Sequence, residues 1–409
     1  MKRQLLSIAG QFGTPCYCYD FDVIREKYRS LMAAFPEQDL TVYYAMKANS
    51  NPHILALLSE LGACIDAVSL GEVLLALQVG FQKEKIMFTA NNITLDEMDE
   101  VAALGVTFNI GSLSELRKFG KTYPGYPVCL RINPGIVAGS HGNIQTGGDL
   151  TKFGILLMDV PKACQIAVKY RLPIIGLHKH TGSGIKDLDK FLAAAERLLQ
   201  LAQPEQFPDL QFVDFGGGLY VAYKPDEEAF PFDLFVEGIN AKVSECSKRY
   251  GRKIKLFFEP GKYLVAESGY LLIEVTNLKQ NNGRLIAGTN SGFPQLIRPV
   301  FYQAYHHIVN LTNSTGKYKV YDICGNICES GDNFAERRPM PEIREGDILA
   351  IENAGAYCYS MGGVYNLHPM PPEIMIDGGK VALIRQGMSV KELISSILKQ
   401  SGHEKHFVC

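Results

Sequence analysis

The chain has 409 residues, of which 46% are hydrophobic and 21% charged, with 41 Lys and Arg against 43 Asp and Glu. This length exceeds what one hydrophobic core normally serves, so we expect two domains, and the composition is that of a globular rather than a disordered protein. Because the charge is nearly balanced and neither a basic stripe nor a bilayer-length apolar run occurs, nucleic acid and membranes are not expected partners. A small molecule is the expected ligand.

The ten cysteines are scattered along the chain without regular spacing. The disulfide framework of a secreted domain has such spacing, and residues 1–20 lack the continuous apolar core of a signal peptide. Cys16 and Cys18 form a C-x-C pair, but no second pair follows at zinc spacing. We therefore expect reduced thiols, no metal site and a cytoplasmic location.

The first strand-like run is "TPCYCYD", which precedes the first barrel helix. From about residue 40, eight runs rich in β-branched or aromatic residues alternate with helical patterns. These runs are "TVYYAM", "CIDAV", "KIMFTA", "VTFNI", "PVCLRIN", "IIGLHKH", "LQFVDF" and "IKLFFE". Ser69, Thr94 and Ser112 each precede a Glu by three residues, the capping-box signature of a helix start. Eight βα repeats predict an α/β fold with a (β/α)8 TIM-like barrel over residues 27–265.

Beyond Glu259 the pattern changes to strand-like runs separated by turns, with little helix between them. These runs are "YLLIEVTNLKQ", "RLIAGT", "YKVYDICG", "GDILAIENAG" and "KVALIRQG". They predict a second, all-β domain formed by residues 266–409 together with residues 1–26, whose strand-like run can pair with it.

Residues that can do chemistry follow the barrel runs. Active sites of such barrels lie at the carboxyl ends of the strands, where side chains from different strands meet. The residues at or near those ends are Lys47, Asp66, Arg131, Asn133, His178, His180, Ser183, Gly216, Gly217, Gly218 and Glu259. An amine, an imidazole, a glycine cluster and a carboxylate on one rim suggest pyridoxal 5'-phosphate (PLP). The amine binds its aldehyde, glycine amides bind its phosphate, and the carboxylate keeps its pyridine nitrogen protonated.

Each of these features also has a plainer interpretation. Lys47 could be a rim lysine whose stem covers apolar neighbours, and the three glycines could form only a tight strand-to-helix turn. Ser183 could cap a helix, and Asp66 could be an ordinary turn acid. His178, two residues before His180 on the same strand face, is interpreted as structural.

Ten motifs occur in order between about residues 12 and 395, and together they resemble the diaminopimelate decarboxylases, relatives of alanine racemase and ornithine decarboxylase. The motifs are "YYAMKAN", "CIDAVSLGE", "RINPG", "TGGDLTKFGI", "HKHTGSGI", "VDFGGG", "FFEPGKYLVAESG", "RPVFYQAYHHI", "CESGD" and "AGAYCYSM". The resemblance implies a PLP-dependent carboxy-lyase. Its reaction would convert meso-2,6-diaminopimelate to L-lysine and carbon dioxide, the last step of lysine biosynthesis.

The resemblance also implies roles for single residues. Lys47 would bind the cofactor covalently, His180 would stack on its ring, and Glu259 would bond its pyridine nitrogen. The other cofactor-binding residues would be Asp66, Ser183, Gly217, Gly218, Gly261 and Tyr357.

The distal end of the substrate would be held by the second domain. By the resemblance, Arg298 and Tyr302 would bind a distal carboxylate, which a guanidinium fork suits, and Glu329 would bind the distal ammonium. Lys262 and Tyr357 would complete the substrate-binding set.

Cys328 is implied to be the acid that returns a proton to the carbon that has lost carbon dioxide. A lone cysteine is otherwise most often a buried inert thiol, and its place in "CESGD" is what favours the catalytic role. In the family this motif reaches into the active site of the other subunit, which implies a homodimer with shared sites.

Several positions depart from the residues that are usual in the family. Lys262 stands where an arginine is usual, Asn290 where an acid is typical, and Asn326 where a proline is. Lys179 and Thr181 stand where apolar residues are commoner; strand alternation turns Lys179 out of the rim, so it is interpreted as structural. These departures concern substrate identity more than cofactor chemistry.

Alternatives to the diaminopimelate substrate remain. A decarboxylase of lysine, ornithine, arginine or a carboxylated polyamine precursor would keep the mechanism, but Arg298 argues against it because a simple diamine precursor has no second carboxylate. A noncatalytic PLP-binding regulator would be expected to have a damaged catalytic set, and this set is intact. An alanine racemase is disfavoured by "CESGD" and "RPVFYQAYHH".

Overall fold

A computed structural model describes residues 1–137, 148, 151–228 and 230–401. The first residues of the motif "TGGDLTKFGI" lie mostly outside this part of the chain. The helices are α1 (Lys2–Phe12), α2 (Phe21–Ala33), α3 (Pro52–Glu60), α4 (Leu70–Val79), α5 (Leu95–Ala103), α6 (Leu113–Thr122), α7 (Val160–Tyr170), α8 (Leu188–Leu201), α9 (Phe232–Tyr250), α10 (Lys262–Val265), α11 (Arg298–Tyr302) and α12 (Val390–Gln400).

The strands up to residue 258 are β1 (Cys16–Asp20), β2 (Leu40–Ala45), β3 (Cys64–Ala67), β4 (Ile86–Phe88), β5 (Thr107–Ile110), β6 (Val128–Asn133), β7 (Ile155–Leu156), β8 (Ile174–His178), β9 (Phe212–Asp214) and β10 (Lys255–Phe258). The later strands are β11 (Gly269–Asn281), β12 (Arg284–Thr289), β13 (Ile308–Asn310), β14 (Tyr318–Cys324), β15 (Asn333–Pro341), β16 (Ile348–Ile351), β17 (Glu373–Asp377) and β18 (Lys380–Arg385).

Eight parallel strands close into a barrel in the order β2, β3, β4, β5, β6, β8, β9 and β10, and β10 pairs again with β2. Each of the eight predicted runs contains one of these strands, so the predicted barrel is confirmed. The three capping boxes are confirmed in part, because Ser69, Thr94 and Ser112 each accept a hydrogen bond from the backbone N–H of the Glu three residues later.

The barrel has an apolar floor made by one side chain from each of six strands. These residues are Tyr43, Cys64, Met87, Cys129, Phe212 and Phe257. The Phe212 and Phe257 rings stack with centroids 4.3 Å apart. Gly176 on β8 has no side chain here, and an added Cβ would overlap the Phe212 ring. The floor closes the lower part of the barrel, so polar chemistry is confined to the carboxyl ends of the strands.

The chain divides into two compact units. The barrel unit comprises Arg25–Ala222 and Glu228–Leu264, and the sheet unit comprises Met1–Ile24, Tyr223–Glu227 and Val265–Cys409. The short segment Tyr223–Glu227 therefore groups with the sheet unit although its sequence position falls inside the predicted barrel range.

The sheet unit contains nine strands, seven of them in the order β15, β14, β12, β11, β1, β17 and β18. Of the two remaining strands, β16 pairs with β11, and β13 pairs with β16. Strand β1 lies between β11 and β17 and is buried at all five positions, so the prediction that the N-terminal run joins this domain is confirmed.

Sequence patterns did not predict three strands and three helices of the sheet unit: β13, β15, β17, α1, α11 and α12. The sequence of β15, "NFAERRPMP", combines two arginines, a glutamate and two prolines, and only part of it is buried. Pairing with β14 makes it a strand in spite of this composition. In the described part of the chain, none of the helices combines the length and apolar character that a membrane span needs.

We predict that Gly355→Ala destabilises the protein strongly. An added Cβ at Gly355 would overlap the backbone carbonyl oxygen of Val265, which cannot move away as a side chain can. The expected loss is about 2–3 kcal/mol in the free energy of unfolding, measured by denaturant titration. Gly363→Ala is the control, because nothing lies within 4 Å of its added Cβ. Equal stability of the two variants would contradict the prediction.

Candidate active site

The barrel mouth carries a buried polar layer directly above the apolar floor. Inward-facing residues of a strand alternate with outward-facing ones, so the residue two places after each floor position joins the next layer. This polar layer contains Asp66, Arg131, His178, Asp214 and Glu259. All five side chains are buried, with at most 6% of their surface exposed. Residues that are far apart in sequence are thus brought together by strand periodicity alone.

Lys47 lies on the 3-10 turn Met46–Ala48 that follows β2. Its Nζ is 2.6 Å from Oδ2 of Asp66, with the lysine side chain 39% exposed and the aspartate fully buried. The amine therefore stands at the open rim while its partner lies inside the barrel. Because Asp66 belongs to β3 and not to a turn, its interpretation as an ordinary turn acid is wrong.

Glu259 follows β10 and is positioned by two neighbouring strands. Its Oε2 lies 3.1 Å from His178 Nε2, and its backbone N–H donates to the carbonyl oxygen of Gly216. One nitrogen or oxygen from each of His178, Asp214 and Glu259 lies within 4.8 Å of the others. Among the described residues, Oε1 of Glu259 and Oδ1 of Asp66 have no hydrogen-bond partner.

Burial dominates the electrostatics of the polar layer. It raises the pKa of Asp66, Asp214 and Glu259, and the charge of Glu259 raises the pKa of the other two further. Lys47 and Arg131 act in the opposite direction on Glu259. Burial also lowers the pKa of His178, and the nearby Arg131 lowers it further, so this imidazole is neutral and able to donate one hydrogen bond to Glu259.

The turn after β9 requires all three of its glycines. An added Cβ at Gly216 would lie 2.6 Å from the carbonyl oxygen of Lys179, one at Gly217 would overlap the Glu259 carbonyl, and one at Gly218 would lie 2.6 Å from the Gly182 carbonyl. Gly216 and Gly218 also have φ values of 65° and 108°. Close packing and backbone conformation therefore explain these glycines, whether or not they also bind an anion.

His180 is oriented by this turn. The backbone N–H of Gly217 donates to His180 Nδ1 at 3.2 Å, which places the ring proton on Nε2. Burial lowers the pKa of His180, with Arg131 and Lys47 adding to the effect, so the ring is neutral. A neutral, oriented imidazole beside Lys47 is suited to packing on a flat cofactor ring.

The remaining barrel candidates lie on the loops around the mouth. Ser183 is half-buried, and the helix that follows is capped by Asp187, which accepts from Lys190; the helix-cap interpretation of Ser183 is therefore wrong. Gly261 packs against the end of β2, where an added Cβ would lie 3.0 Å from Ala48 Cβ. Lys262 begins α10 and is 8% exposed.

These residues fit PLP. The Glu259 oxygen that has no protein donor suits a protonated ring nitrogen, and the Lys47 amine suits an aldehyde. The neutral His180 ring supplies a flat surface for the cofactor ring. The turn Gly216–Gly218, which has no Cβ atoms, supplies a surface that suits a phosphate.

In the sheet unit, Arg298 begins α11 and is 6% exposed. Its Nη1 lies 2.9 Å from His306 Nε2, and its guanidinium lies over the Tyr223 ring, 4.6 Å from the centroid. No carboxylate of the described residues forms an ion pair with Arg298. Tyr302, one turn later, contacts Met361 Sδ through its hydroxyl at 4.0 Å. The cationic group is thus buried among neutral partners.

Cys328 and Glu329 lie on an exposed turn of the same unit. Cys328 Sγ is 3.2 Å from Asn366 Oδ1, and the Tyr365 hydroxyl donates to Glu329 Oε1 at 2.7 Å. The turn is shaped by buried Asp332, whose Oδ2 accepts from the Ile327 N–H. Tyr357, the last predicted site residue, is half-buried and has a left-handed φ of 57°.

Two departures in the sheet unit have structural explanations. Asn290 accepts from the Glu274 N–H through Oδ1 and donates to Thr14 Oγ1 through Nδ2, and a carboxylate could not act as the donor in the second bond. The backbone N–H of Asn326 donates to Ser291, a bond that a proline could not make.

Lys179 is fully buried, and its Nζ has no hydrogen-bond partner in the described part of the chain. The ammonium lies 3.6 Å from the centroid of the Phe191 ring. Burial lowers its pKa to about 7, while Asp214 acts in the opposite direction. The expectation that Lys179 points away from the rim agrees with these contacts, and the side chain occupies an apolar site behind the polar layer.

The sequence patterns indicate no role for Asp214. For Arg131 they indicate only that it lies near the end of a barrel strand. Both follow the strand periodicity of the floor residues, and Asp214 directly precedes the glycines that it helps to shape, since its Oδ1 accepts from the Gly216 N–H at 2.7 Å. Inward alternation from Phe212 was the signal that could have identified Asp214.

Comparison with known proteins gives consistent matches. Residues 21–266 match the family described as "pyridoxal-dependent decarboxylase, pyridoxal binding domain". The chain is 38% identical to the diaminopimelate decarboxylase of Methanothermobacter thermautotrophicus, covering 95% of this chain and 92% of that protein. It is 36% identical to that of Escherichia coli K12, with 96% of each covered. The crystal structure of the Helicobacter pylori enzyme complexed with L-lysine superposes with a TM-score of 0.88 at 30% identity, covering 97% of this chain and 100% of the other.

We predict that Lys179→Met stabilises the protein, on the order of 2 kcal/mol at pH 6.5, because it removes a buried and unpaired charge. The native pKa is about 7 against an ordinary 10.5. The unfolded chain therefore holds the extra proton between these values, and wild-type stability rises with pH across that window. The advantage of the variant should shrink by pH 9.5 in denaturant titrations. Lys186→Met is the control, since Lys186 is exposed over the Tyr220 ring. A constant advantage at both pH values would contradict the prediction.

Proposed function

The chain belongs to the diaminopimelate decarboxylase family of pyridoxal-dependent enzymes, and from this premise we propose that it converts meso-2,6-diaminopimelate to L-lysine and carbon dioxide. The observation that carries the choice of substrate is the buried Arg298 guanidinium, which has neutral neighbours and no carboxylate partner among the described residues. A buried cation needs an anion, and the distal carboxylate of diaminopimelate supplies one. Lysine, ornithine and arginine have no second carboxylate.

PLP is the cofactor, and most of the residues proposed to hold it belong to the barrel unit. Lys47 would bind its aldehyde, His180 would pack on its ring, and Glu259 would accept from its pyridine nitrogen. Asp66 would hold the Lys47 amine, whose Nζ lies 2.6 Å from Asp66 Oδ2. Gly217, Gly218, Ser183, Gly261 and Tyr357 are the proposed phosphate-side residues. When bound, PLP withdraws electrons from the bond that releases carbon dioxide.

We propose that Glu259 is anionic, the form that this chemistry needs. Arg131 and Lys47 oppose the effect of burial on the Glu259 pKa, and His178 holds the Oε2 atom, which leaves Oε1 free to accept a proton-bearing nitrogen. An anionic carboxylate at that point favours the protonated ring.

Residues of the sheet unit would bind the substrate and complete the reaction. Arg298 and Tyr302 would hold the distal carboxylate, and Glu329 would hold the distal ammonium. Tyr357, together with Lys262 of the barrel unit, would bind the remaining polar groups of the substrate. The Cys328 thiol would give its proton to the carbon that has lost carbon dioxide, and solvent would restore it at this exposed turn.

We further propose a homodimer in which Cys328 and Glu329 act in the partner's site. Both lie on an exposed turn of the single chain, held by Asn366 and Tyr365. The proposed compartment is the cytoplasm, where the nine cysteines of the described residues, all free, would remain reduced.

The deciding experiment measures carbon dioxide release by the PLP-loaded protein from meso-diaminopimelate, L-lysine, L-ornithine and L-arginine in parallel. We expect release from meso-diaminopimelate alone, and we expect Arg298→Met to raise KM by at least about tenfold because the carboxylate loses its charged partner. Release from one of the other amino acids only would overturn the substrate and keep the mechanism.

Borohydride reduction separates a catalytic failure from a cofactor failure. The wild type should retain a reduced PLP adduct on Lys47, and Lys47→Ala should not. Silence with all four substrates in a protein that carries this adduct would favour the noncatalytic regulator instead.

Mixing two inactive variants tests the shared site. Lys47→Ala and Cys328→Ala alone should each show little activity, and unfolding and refolding them together should restore about a quarter of wild-type activity, since half of the random dimers contain one intact site. The control is the same treatment of each variant alone. No recovery, with dimers seen by sedimentation, would place both residues in one chain's site.

A further inference from the structure

We propose that His306 is a positioning residue that holds Arg298 in place to receive the carboxylate of the substrate. This inference rests on the proposed function, because it assumes that Arg298 binds that carboxylate. The imidazole of His306 is fully buried, so it would act on the substrate only through Arg298.

Two contacts fix the ring. His306 Nδ1 lies 2.8 Å from the backbone carbonyl oxygen of Glu352, and His306 Nε2 lies 2.9 Å from Arg298 Nη1. A carbonyl oxygen can only accept, so Nδ1 must carry the proton. A guanidinium can only donate, so Nε2 must present its lone pair.

Only the neutral imidazole with its proton on Nδ1 satisfies both contacts at once. The imidazolium would place an N–H against the guanidinium N–H, two donors and two positive charges at hydrogen-bond distance. The other neutral form would leave the Glu352 carbonyl facing a lone pair. His306 therefore donates to the backbone carbonyl of Glu352 and accepts from Arg298, so the backbone fixes the ring and the ring fixes the guanidinium.

A second surface completes the support of Arg298. The Tyr223 ring lies under the guanidinium and meets the His306 ring edge-on, with centroids 5.1 Å apart at 84°. Burial raises the pKa of Tyr223 to about 12, so it too is neutral. One face and one edge of the guanidinium are thus fixed by groups that leave its charge uncompensated. The guanidinium N–H groups that these contacts leave would donate to the carboxylate.

The two histidines of "YHHI" make different contacts. The second member, His307, is half-buried, and its Nδ1 is 3.4 Å from the Tyr305 hydroxyl rather than from Arg298. Adjacent residues of the same type thus have different surroundings, and His307 supplies a matched control.

The test compares His306→Asn, His306→Gln and His307→Asn in the PLP-loaded enzyme. A Gln amide reaches the position of Nε2 and can present an oxygen to Arg298, whereas an Asn amide reaches only the position of Nδ1. Calorimetry would measure the Kd of L-lysine, which retains the carboxylate, and of cadaverine, its analogue without one.

We expect His306→Asn to weaken L-lysine about tenfold, to leave cadaverine unchanged, and to raise KM for meso-diaminopimelate with kcat little altered. His306→Gln should keep most of the L-lysine affinity, and His307→Asn should match the wild type. Equal weakening of both ligands, or equal losses in the Asn and Gln variants, would overturn the positioning role and indicate a structural one.

Arg298→Met separates this inference from the function on which it rests. If that variant binds L-lysine and cadaverine with unchanged Kd, the proposed role of Arg298 itself fails. If it loses L-lysine selectively while His306→Asn does not, the substrate assignment stands and only the positioning role of His306 is wrong.

Discussion

The burial of three carboxylates in the mouth of one barrel is the constraint on which the site depends. Asp66, Asp214 and Glu259 are each 0–5% exposed, and the loss of water raises all three pKa values. The charge of Glu259 raises the pKa of Asp66 and of Asp214 further. Uncompensated, such a cluster would protonate and lose its ability to hold a cation. The neighbouring lysine and arginine offset that tendency for Glu259, and His178 contacts its Oε2.

This arrangement also limits the backbone around it. The turn after β9 can approach Glu259 and His180 only because it has no side chains, and the amide of Gly217 then fixes the ring of His180. The three glycines, which resemble a phosphate-binding motif, are therefore needed for the close approach of the segments that follow β8, β9 and β10, whether or not they bind phosphate. Lys179 lies behind the same strands in an apolar site where its charge has no hydrogen-bond partner. Lys179 lies between His178 and His180 in the sequence, so the barrel tolerates a destabilising buried amine directly beside residues of the candidate active site.

Much of this could be predicted from sequence, because the barrel strands are short, β-branched or aromatic, and regularly spaced. Eight strands, the closure and the side chains at the strand ends follow from period and order alone. Asp214 was not predicted because the three glycines after it form a more distinctive sequence motif than a single inward-facing acid on β9. Strand β15 was missed because its stability comes from pairing that local composition does not record. Helix α12 was missed although Ser389 and Glu392 form a capping box at its start, the same signal that predicted three barrel helices. The plain interpretations of Asp66 and Ser183 could be excluded only when the strand and the true helix cap were known.

Strand β1 has a consequence for the order of events during synthesis. Its five buried residues leave the ribosome before any barrel strand, yet one partner, β11, begins at Gly269 and the other, β17, at Glu373. At the usual elongation rate of roughly 5–20 residues per second, β1 waits for tens of seconds while every barrel strand is made. The nascent chain therefore carries an unpaired apolar strand throughout translation of the barrel. The sheet unit cannot close until β17 has been made, so β1 reaches its second native partner only after more than 350 further residues have been added.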